Sequence, residues 1–292
     1  MLARLGVGVF WLLHFLPLAL LAPLGRGLGH VAYLVARRRR HIALVNLRLC
    51  FPQKTEAERQ KLAREHFAML GRSLLERAIL WWAPQARIRA LTRVEGEQHL
   101  RALAGMPVIL FVQHFVGMDI AWARLTCDFD MAGIYGKQKN AYFDAVLLKG
   151  RQRFGKCVHL SRQDGLRPAI RAIKQGLPFY YLPDMDFGPR DAIFVPFFGN
   201  PAATVTSLSR LAAACDAKVI PCVNRMLEGG TGYEVKLYPP WDNFPSDDIE
   251  ADTRRMNAFI EDRVLEMPEQ YYWVHRRFKT RPEGEKDVYR SE

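Results

Sequence analysis

The longest uninterrupted apolar run lies at the amino terminus. Residues 5–24, LGVGVFWLLHFLPLALLAPL, are twenty positions without Lys, Arg, Asp or Glu. About twenty apolar residues cross a bilayer core as a helix, so the stretch predicts a membrane anchor. His14 and Pro17 interrupt it and leave an interfacial helix as a second reading. A cleaved signal peptide fits less well, because the run is too long and no small-residue cleavage site precedes Arg26. Gly25, Gly27 and Gly29 and a second apolar stretch follow, then four consecutive arginines, Arg37 to Arg40. By the positive-inside rule these mark the cytoplasmic side. Each would also hold an anionic headgroup with about 1 kcal/mol. A solvated basic linker is the competing reading of the same four residues.

Beyond the arginines the periodicity changes twice. Residues 41–83 read as helical. Thr55 and Glu58 have capping-box spacing, Leu62, Met69, Leu70 and Leu74 recur at helical intervals, and Trp81, Trp82 and Pro84 close the segment. From residue 106 short apolar runs alternate with helical stretches. PVILFVQ (107–113), MAGIY (131–135), KCVHL (156–160), LPFYYL (177–182) and AKVIPCV (217–223) are strand candidates, with 232–238 a further one. Helical stretches fall near 119–125, 140–153, 164–175, 204–214 and 250–267. This alternation predicts an α/β fold, a single catalytic domain whose central mixed sheet is flanked by helices. The division is then 1–36 as the anchor, 37–105 as a helical lead-in, and 106–292 as the α/β core and C-terminal segment.

Charge adds one thing to this pattern. Forty-two Lys and Arg against thirty Asp and Glu give a formal charge of +12, which calls for a polyanionic partner. Nucleic acid, an anionic membrane or an acidic carrier protein all satisfy it. The five cysteines, Cys50, Cys127, Cys157, Cys215 and Cys222, are odd in number and contain no C-x-x-C pair. They suit free thiols in a reducing compartment.

Candidate chemistry sits at the end of the first core strand, in VILFVQHFVGMD (108–119). Open α/β sheets place their sites at the carboxyl ends of strands, which is where His114 falls. A neutral imidazole can take a proton from a hydroxyl as that hydroxyl attacks. A carboxylate on the other ring nitrogen fixes the tautomer, and Asp119, five residues on across a Gly117 turn, is the candidate partner. By itself H-x-x-x-x-D is a weak signal, since a lone histidine beside an apolar run is most often structural.

The surrounding blocks are more specific. ARRRRHIALVNLRLCFP (36–52), VQHFVGMD, SRQDGLRPAIRAIKQG (161–176), LPDMDFGPRDAIFVPFFG (182–199), KVIPCV and MPEQYYWVHRRFKTRP (267–282) follow one another in order. With them the chain resembles the lipid A biosynthesis lauroyl/myristoyl acyltransferases, within the glycerolipid acyltransferase superfamily. One departure is Asp119, where close relatives often carry Glu. The resemblance implies His114 as general base, Asp119 as its partner, and Arg162 as a phosphate-binding arginine, for which a guanidinium fork is well suited. Without the resemblance Arg162 reads as a surface arginine. Asp184 and Asp186, in PDMDFG, lie beside the acceptor site in such enzymes. They are costly to bury unpaired, and Arg162 or Arg190 are the expected partners. A structural turn is the competing reading.

The remaining polar clusters point the same way. Thr204, Thr206 and Ser207 are positioned to cap a helix and are assigned no chemistry. The basic run His275 to Lys279 suits a membrane or carrier-protein contact better than nucleic acid, for which no motif is present. His14, His30, His41, His66, His99 and His159 lack metal spacing, so no metal is expected. The implied reaction moves an acyl chain from acyl-carrier protein to a hydroxyl of a lipid A precursor in lipopolysaccharide biosynthesis. It needs no cofactor beyond that acyl-carrier-protein co-substrate. It would occur on the cytoplasmic side of a bacterial inner membrane, with anionic lipids as further partners and no nucleic acid. Oligomeric state, acyl chain length, the acceptor hydroxyl and any need for Kdo are not readable from the sequence. A lysophospholipid or aminolipid acyltransferase using the same pair is the nearest rival. A non-catalytic anionic-lipid binder is the rival of another class. A hydrolase lacks its G-x-S-x-G elbow.

Overall fold

A computed structural model describes residues 2–161 and 165–290. The apolar amino terminus forms two helices rather than one. α1 (Leu2–Leu12) runs into a single 3-10 turn (Leu13–Phe15), and α2 (Leu18–Val35) begins after Pro17. Proline has no N–H to continue a helix and its ring crowds the preceding turn, so the chain breaks there. The Arg87 guanidinium takes up the freed carbonyls of His14 and Leu16. The span expected over 5–24 is therefore interrupted. Among the described residues, the helix long and apolar enough to cross a membrane is α2, eighteen residues of mean hydropathy 1.4.

α2 is held on one side by protein. α3 (Arg37–Cys50) and α4 (Glu56–Trp82) follow it, and α4 starts at the Thr55–Glu58 capping box. A Cβ on Gly29 would sit 2.1 Å from the Phe67 carbonyl oxygen, and one on Gly71 2.1 Å from the Gly25 carbonyl oxygen. Glycine at these positions lets the backbones of α2 and α4 touch. The opposite face of α2 stays uncovered, from Leu28 at 41% exposed to Val35 at 73%. Of the four arginines, Arg39 donates to the Val274 carbonyl and Arg40 to that of Tyr33, so two of them are fastened to the body of the protein.

After the short helix α5 (Gln85–Leu91) comes the sheet. Its strands are β1 (Thr92–Glu95), β2 (Val108–Val112), β3 (Met131–Tyr135), β4 (Cys157–Ser161), β5 (Phe179–Tyr181), β8 (Lys218–Met226) and β9 (Tyr233–Leu237). β6 (Ala192–Phe197) and β7 (Asn200–Val205) form a separate antiparallel hairpin. The seven-stranded order is β1-β9-β8-β2-β5-β3-β4. Its five core strands are mutually parallel, and β9 turns back antiparallel to β8. The sheet is thus mixed and flanked by helices, as the pattern predicts.

Every residue of β2 is buried. Ile109 and Phe111 enter the core on one face, and Val108, Leu110 and Val112 enter the core on the other. Burial on both faces is why this strand reads as a continuous apolar run without alternation. Helices α6 (Glu97–Arg101), α7 (Met118–Leu125), α8 (Ala141–Arg151), α9 (Arg167–Lys174), α10 (Ser207–Cys215) and α11 (Ile249–Glu266) cover the faces. β1 and the β6–β7 hairpin went unpredicted. Pro196 and the Asn200-Pro201 pair make the hairpin look like a turn.

Candidate active site

β2 and β5 are adjacent and parallel, with Phe111 opposite Tyr181. The loops leaving their carboxyl ends therefore emerge side by side, the position where open α/β sheets gather functional groups. His114 stands two residues past β2 and Asp184 three past β5. Asp184 Oδ1 lies 2.5 Å from His114 Nδ1, and its Oδ2 accepts the His114 backbone N–H at 2.8 Å. The carboxylate thus grips both ring and backbone. Burial opposes ionisation of Asp184. The imidazole charge and the two N–H donors outweigh it, and the net shift is downward. With Nδ1 engaged, Nε2 is the ring nitrogen left for chemistry, and among the described residues it has no hydrogen-bond partner.

Asp119 faces elsewhere. It is buried in the first turn of α7 and accepts from Arg77 Nε of α4 at 3.1 Å. From α8 it accepts Arg151 Nε at 3.1 Å and Nη2 at 2.5 Å. Desolvation pushes its pKa up, but the two guanidinium charges bring it below the ordinary carboxylate value. The contact expected between Asp119 and the His114 ring is made by Asp184 instead. The first helical turn carries Asp119 toward α4 and α8. Gly117 eases the packing there: its φ of −90° suits any residue, but a Cβ would lie 2.8 Å from Ile120 Cδ1, which would have to shift. Tyr180 Oη, donating to the Met118 carbonyl at 2.6 Å, pins the same turn to β5.

His114 and Asp119 still share one cavity of about 240 Å³, whose wall includes Trp122, Arg151, His159 and Tyr180. It is a mixed chamber, with two imidazoles, a guanidinium and a carboxylate among apolar side chains. The ring nitrogens of His159 are buried and make no well-formed hydrogen bond among the described residues. Burial, aided by the Arg151 charge, holds its pKa down to about 4.

Comparison with known proteins settles the class of enzyme. The model of the bacterial lipid A biosynthesis acyltransferase family matches residues 1–280. The chain belongs to that family. It is 38% identical to the lipid A biosynthesis lauroyltransferase of Escherichia coli, over 97% of this chain and 93% of that one. It is 34% identical to the palmitoleoyltransferase of the same organism, again over 97% and 93%. The myristoyltransferase is likewise 34% identical, over 99% of this chain and 90% of its own length.

Within this acyltransferase of lipid A biosynthesis the other expected residues fall in different places. Arg162 lies outside the described residues. Asp186 is buried, and among the described residues Arg190 is not its partner. It accepts from the Thr280 backbone N–H at 2.6 Å and the Thr280 hydroxyl at 2.8 Å, with Lys279 Nζ at 3.8 Å. Arg190 is solvent-exposed, beside Asp191. Asp186 therefore ties the β5 loop to the C-terminal segment.

The basic run 275–279 is only partly at the surface: Lys279 is exposed and Arg276 half-buried. Arg277 is buried and donates to the Ala203 carbonyl and the Thr204 hydroxyl, and Phe278 is wholly covered. His275 Nε2 accepts the Asp186 backbone N–H at 3.1 Å. Thr206 takes the cap position of α10, yet its hydroxyl makes no cap bond. Arg77 and Arg151 were not found from the sequence, because nothing in their local pattern separates them from the other arginines of a chain with a charge of +12.

Proposed function

We propose that the protein transfers a fatty acyl group from an acyl-carrier-protein thioester to a hydroxyl on a lipid A precursor, with His114 as general base. The observation that carries this reading is the buried Asp184 on Nδ1, which leaves His114 Nε2 available in a cavity. The acceptor oxygen attacks the thioester carbonyl carbon while its proton passes to Nε2. The carbonyl re-forms as the C–S bond breaks, and the proton goes on to the departing thiolate. No acyl-enzyme is needed. Asp184 holds the Nε2-basic tautomer and stabilises the imidazolium that forms. Asp119 acts at one remove, as a positioning residue that fixes Arg151 in the cavity wall. Arg162 and Asp186 belong to this reading as an acceptor-side cation and a loop anchor.

The relatives' names cover lauroyl, myristoyl and palmitoleoyl transfer, so a medium-to-long acyl chain is the donor class. The exposed apolar faces of α1 and α2, followed by Arg37 to Arg40, support placement at the cytoplasmic side of the inner membrane. The test is acyl transfer by membranes supplied with acyl-carrier-protein donor and a Kdo-bearing lipid A precursor. Product is expected with the wild type. Full turnover by His114→Ala would sink the mechanism.

A further inference from the structure

A second cleft, of about 540 Å³, lies between α1, the end of α4 and α8. Its walls include Trp11 of α1, Trp81 and Trp82 of α4, and Tyr142, Val146 and Lys149 of α8. Three indoles, a phenol and a valine make an apolar trough, and Lys149 adds a cation that enters no ion pair among the described residues. Aromatic side chains of this amphipathic kind collect where a bilayer meets water. The surface on either side is apolar too. Val9, Trp11 and Leu12 of α1 and Phe15 of the turn after it are 42–61% exposed beside the cleft, and Tyr142 and Phe143 are 40% and 36% exposed on α8.

We propose that this cleft holds one acyl chain of a bilayer phospholipid, with the lipid phosphate against Lys149, so that α8 is part of the membrane-contacting surface. Two arguments commit the occupant to a lipid. The cleft is continuous with the exposed apolar face of α1, which any membrane bound by the amino terminus would cover. Lys149 and, beside it, Arg153, whose guanidinium donates to the Leu80 and Ala83 carbonyls, enter no ion pair among the described residues and match a phosphate at the end of an apolar tail. The architecture also makes room for the chain. A Cβ on Gly150 would fall 2.6 Å from Trp81 Cγ, so glycine lets α8 lie directly on that indole. Gly8 lines the cleft with no atom within 4 Å of where its Cβ would be.

The cleft bears on the active site through α8. Leu147 and Arg151, four residues apart and so on one helix face, line the catalytic cavity, whereas Val146, Lys149 and Gly150 line the lipid cleft. A lipid seated there packs against the back of the helix that carries Arg151 to Asp119.

The inference rests on the membrane placement proposed above, and the experiment separates the two. The full-length protein is mixed with phosphatidylethanolamine/phosphatidylglycerol vesicles whose acyl chains carry bromine, a short-range quencher of indole fluorescence. Co-sedimentation reads the membrane placement. Quenching reads the cleft. Wild-type emission is expected to fall on binding, with a smaller fall in Trp82→Phe, which removes a reporter from the wall. Gly8→Leu, whose Cβ meets no atom within 4 Å, puts a bulky side chain into the trough and is expected to cut the quenching at least twofold while the protein still sediments. Thermal melts verify that both variants fold. Sedimentation with equal quenching in wild type and both variants overturns the cleft proposal. No sedimentation of the wild type overturns the membrane placement, and the lipid site with it.

Discussion

Two loops each bring an acidic side chain close to His114 and use it differently: Asp119 lines the cavity that His114 shares, whereas Asp184 is buried against the imidazole ring. In the turn after β2, His114 and Asp119 are five residues apart in the chain, yet Asp119 spends its oxygens on Arg77 and Arg151. In the loop after β5, Asp184 is seventy residues from His114 and holds its ring. Sheet register explains the second contact, because β2 and β5 end side by side. Helix geometry explains the first, because the opening turn of α7 aims Asp119 at α4 and α8. At a strand–turn–helix junction, the neighbouring strand is a better guide to a histidine's partner than the nearest acid in sequence.

The strongest way to break this comparison is to remove the base that both loops serve. His114→Ala is expected to lower kcat by about 10³- to 10⁴-fold, with the melting temperature near that of the wild type. Steady-state acyl transfer measures it. Asp184→Asn comes next, with a loss of about 10² to 10³ in kcat, since an amide that donates toward Nδ1 favours the wrong tautomer. If Asp119→Asn cost more activity than Asp184→Asn, the assignment of roles would be reversed.

The pairing was harder to read from the sequence than the fold. The apolar runs of the five core strands and the Thr55–Glu58 box mark elements directly, because burial on both faces and helix capping leave local signatures. His114 stands out for the same reason, as the first polar ring after a buried strand. Its partner does not, since Asp184 reaches it only through strand order, and no local pattern encodes that β5 inserts between β2 and β3. The basic run at 275–279 misleads for a related cause. Arg277 is paid for by carbonyl and hydroxyl acceptors on β7, which is distant in sequence.

Asp119→Asn sharpens the difference from the other side. It leaves two guanidinium groups facing an uncharged amide, and one of them, Arg151, swings free of its bidentate hold. We expect about a tenfold loss of kcat/KM, mostly through KM, as a displaced positioning group would give. The stability cost is about 2 kcal/mol, below the usual figure for breaking a buried pair because Arg77 and Arg151 keep some solvent contact. Urea unfolding beside the kinetics reads both.

The β5 loop also leans on an imidazole that has to stay neutral. Burial first, and then the neighbouring His114 and Arg277 charges, lower the His275 pKa to about 4. Its folded pKa therefore lies below the ordinary value near 6.5. Between those two values the unfolded chain binds a proton that the folded one refuses, so stability falls as pH drops from about 6.5 to about 4. Asp119 and Asp184, both depressed below the ordinary carboxylate value, stay ionised in the folded protein through that window, and their contribution is lost only as pH falls further, through their folded pKa values. His275→Gln keeps an acceptor for the Asp186 N–H and cannot titrate. It is expected to flatten the slope of stability against pH by about one proton, roughly 1.4 kcal/mol per pH unit. An unchanged slope in chemical denaturation from pH 4.5 to 6.5 would mean that His275 is not held neutral.

The smallest effect separates anchoring from chemistry within the β5 loop itself. Asp186 is two residues from Asp184 and equally buried, yet it spends its oxygens on Thr280, Lys279 and the Gly188 N–H. Thr280→Val removes one hydroxyl donor to a charged acceptor and keeps the shape and the backbone bond. A hydrogen bond to a charged group contributes about 1.5–3 kcal/mol. The lower end applies, because the Thr280 N–H and Lys279 still neutralise the carboxylate. We expect a loss of about 1.5 kcal/mol in unfolding free energy, with kcat within about twofold of wild type because the His114–Asp184 contact does not pass through Thr280. A large fall in kcat with unchanged stability would show that Asp186 reaches the reacting atoms, and the two acids of PDMDFG would then have to be counted as one unit.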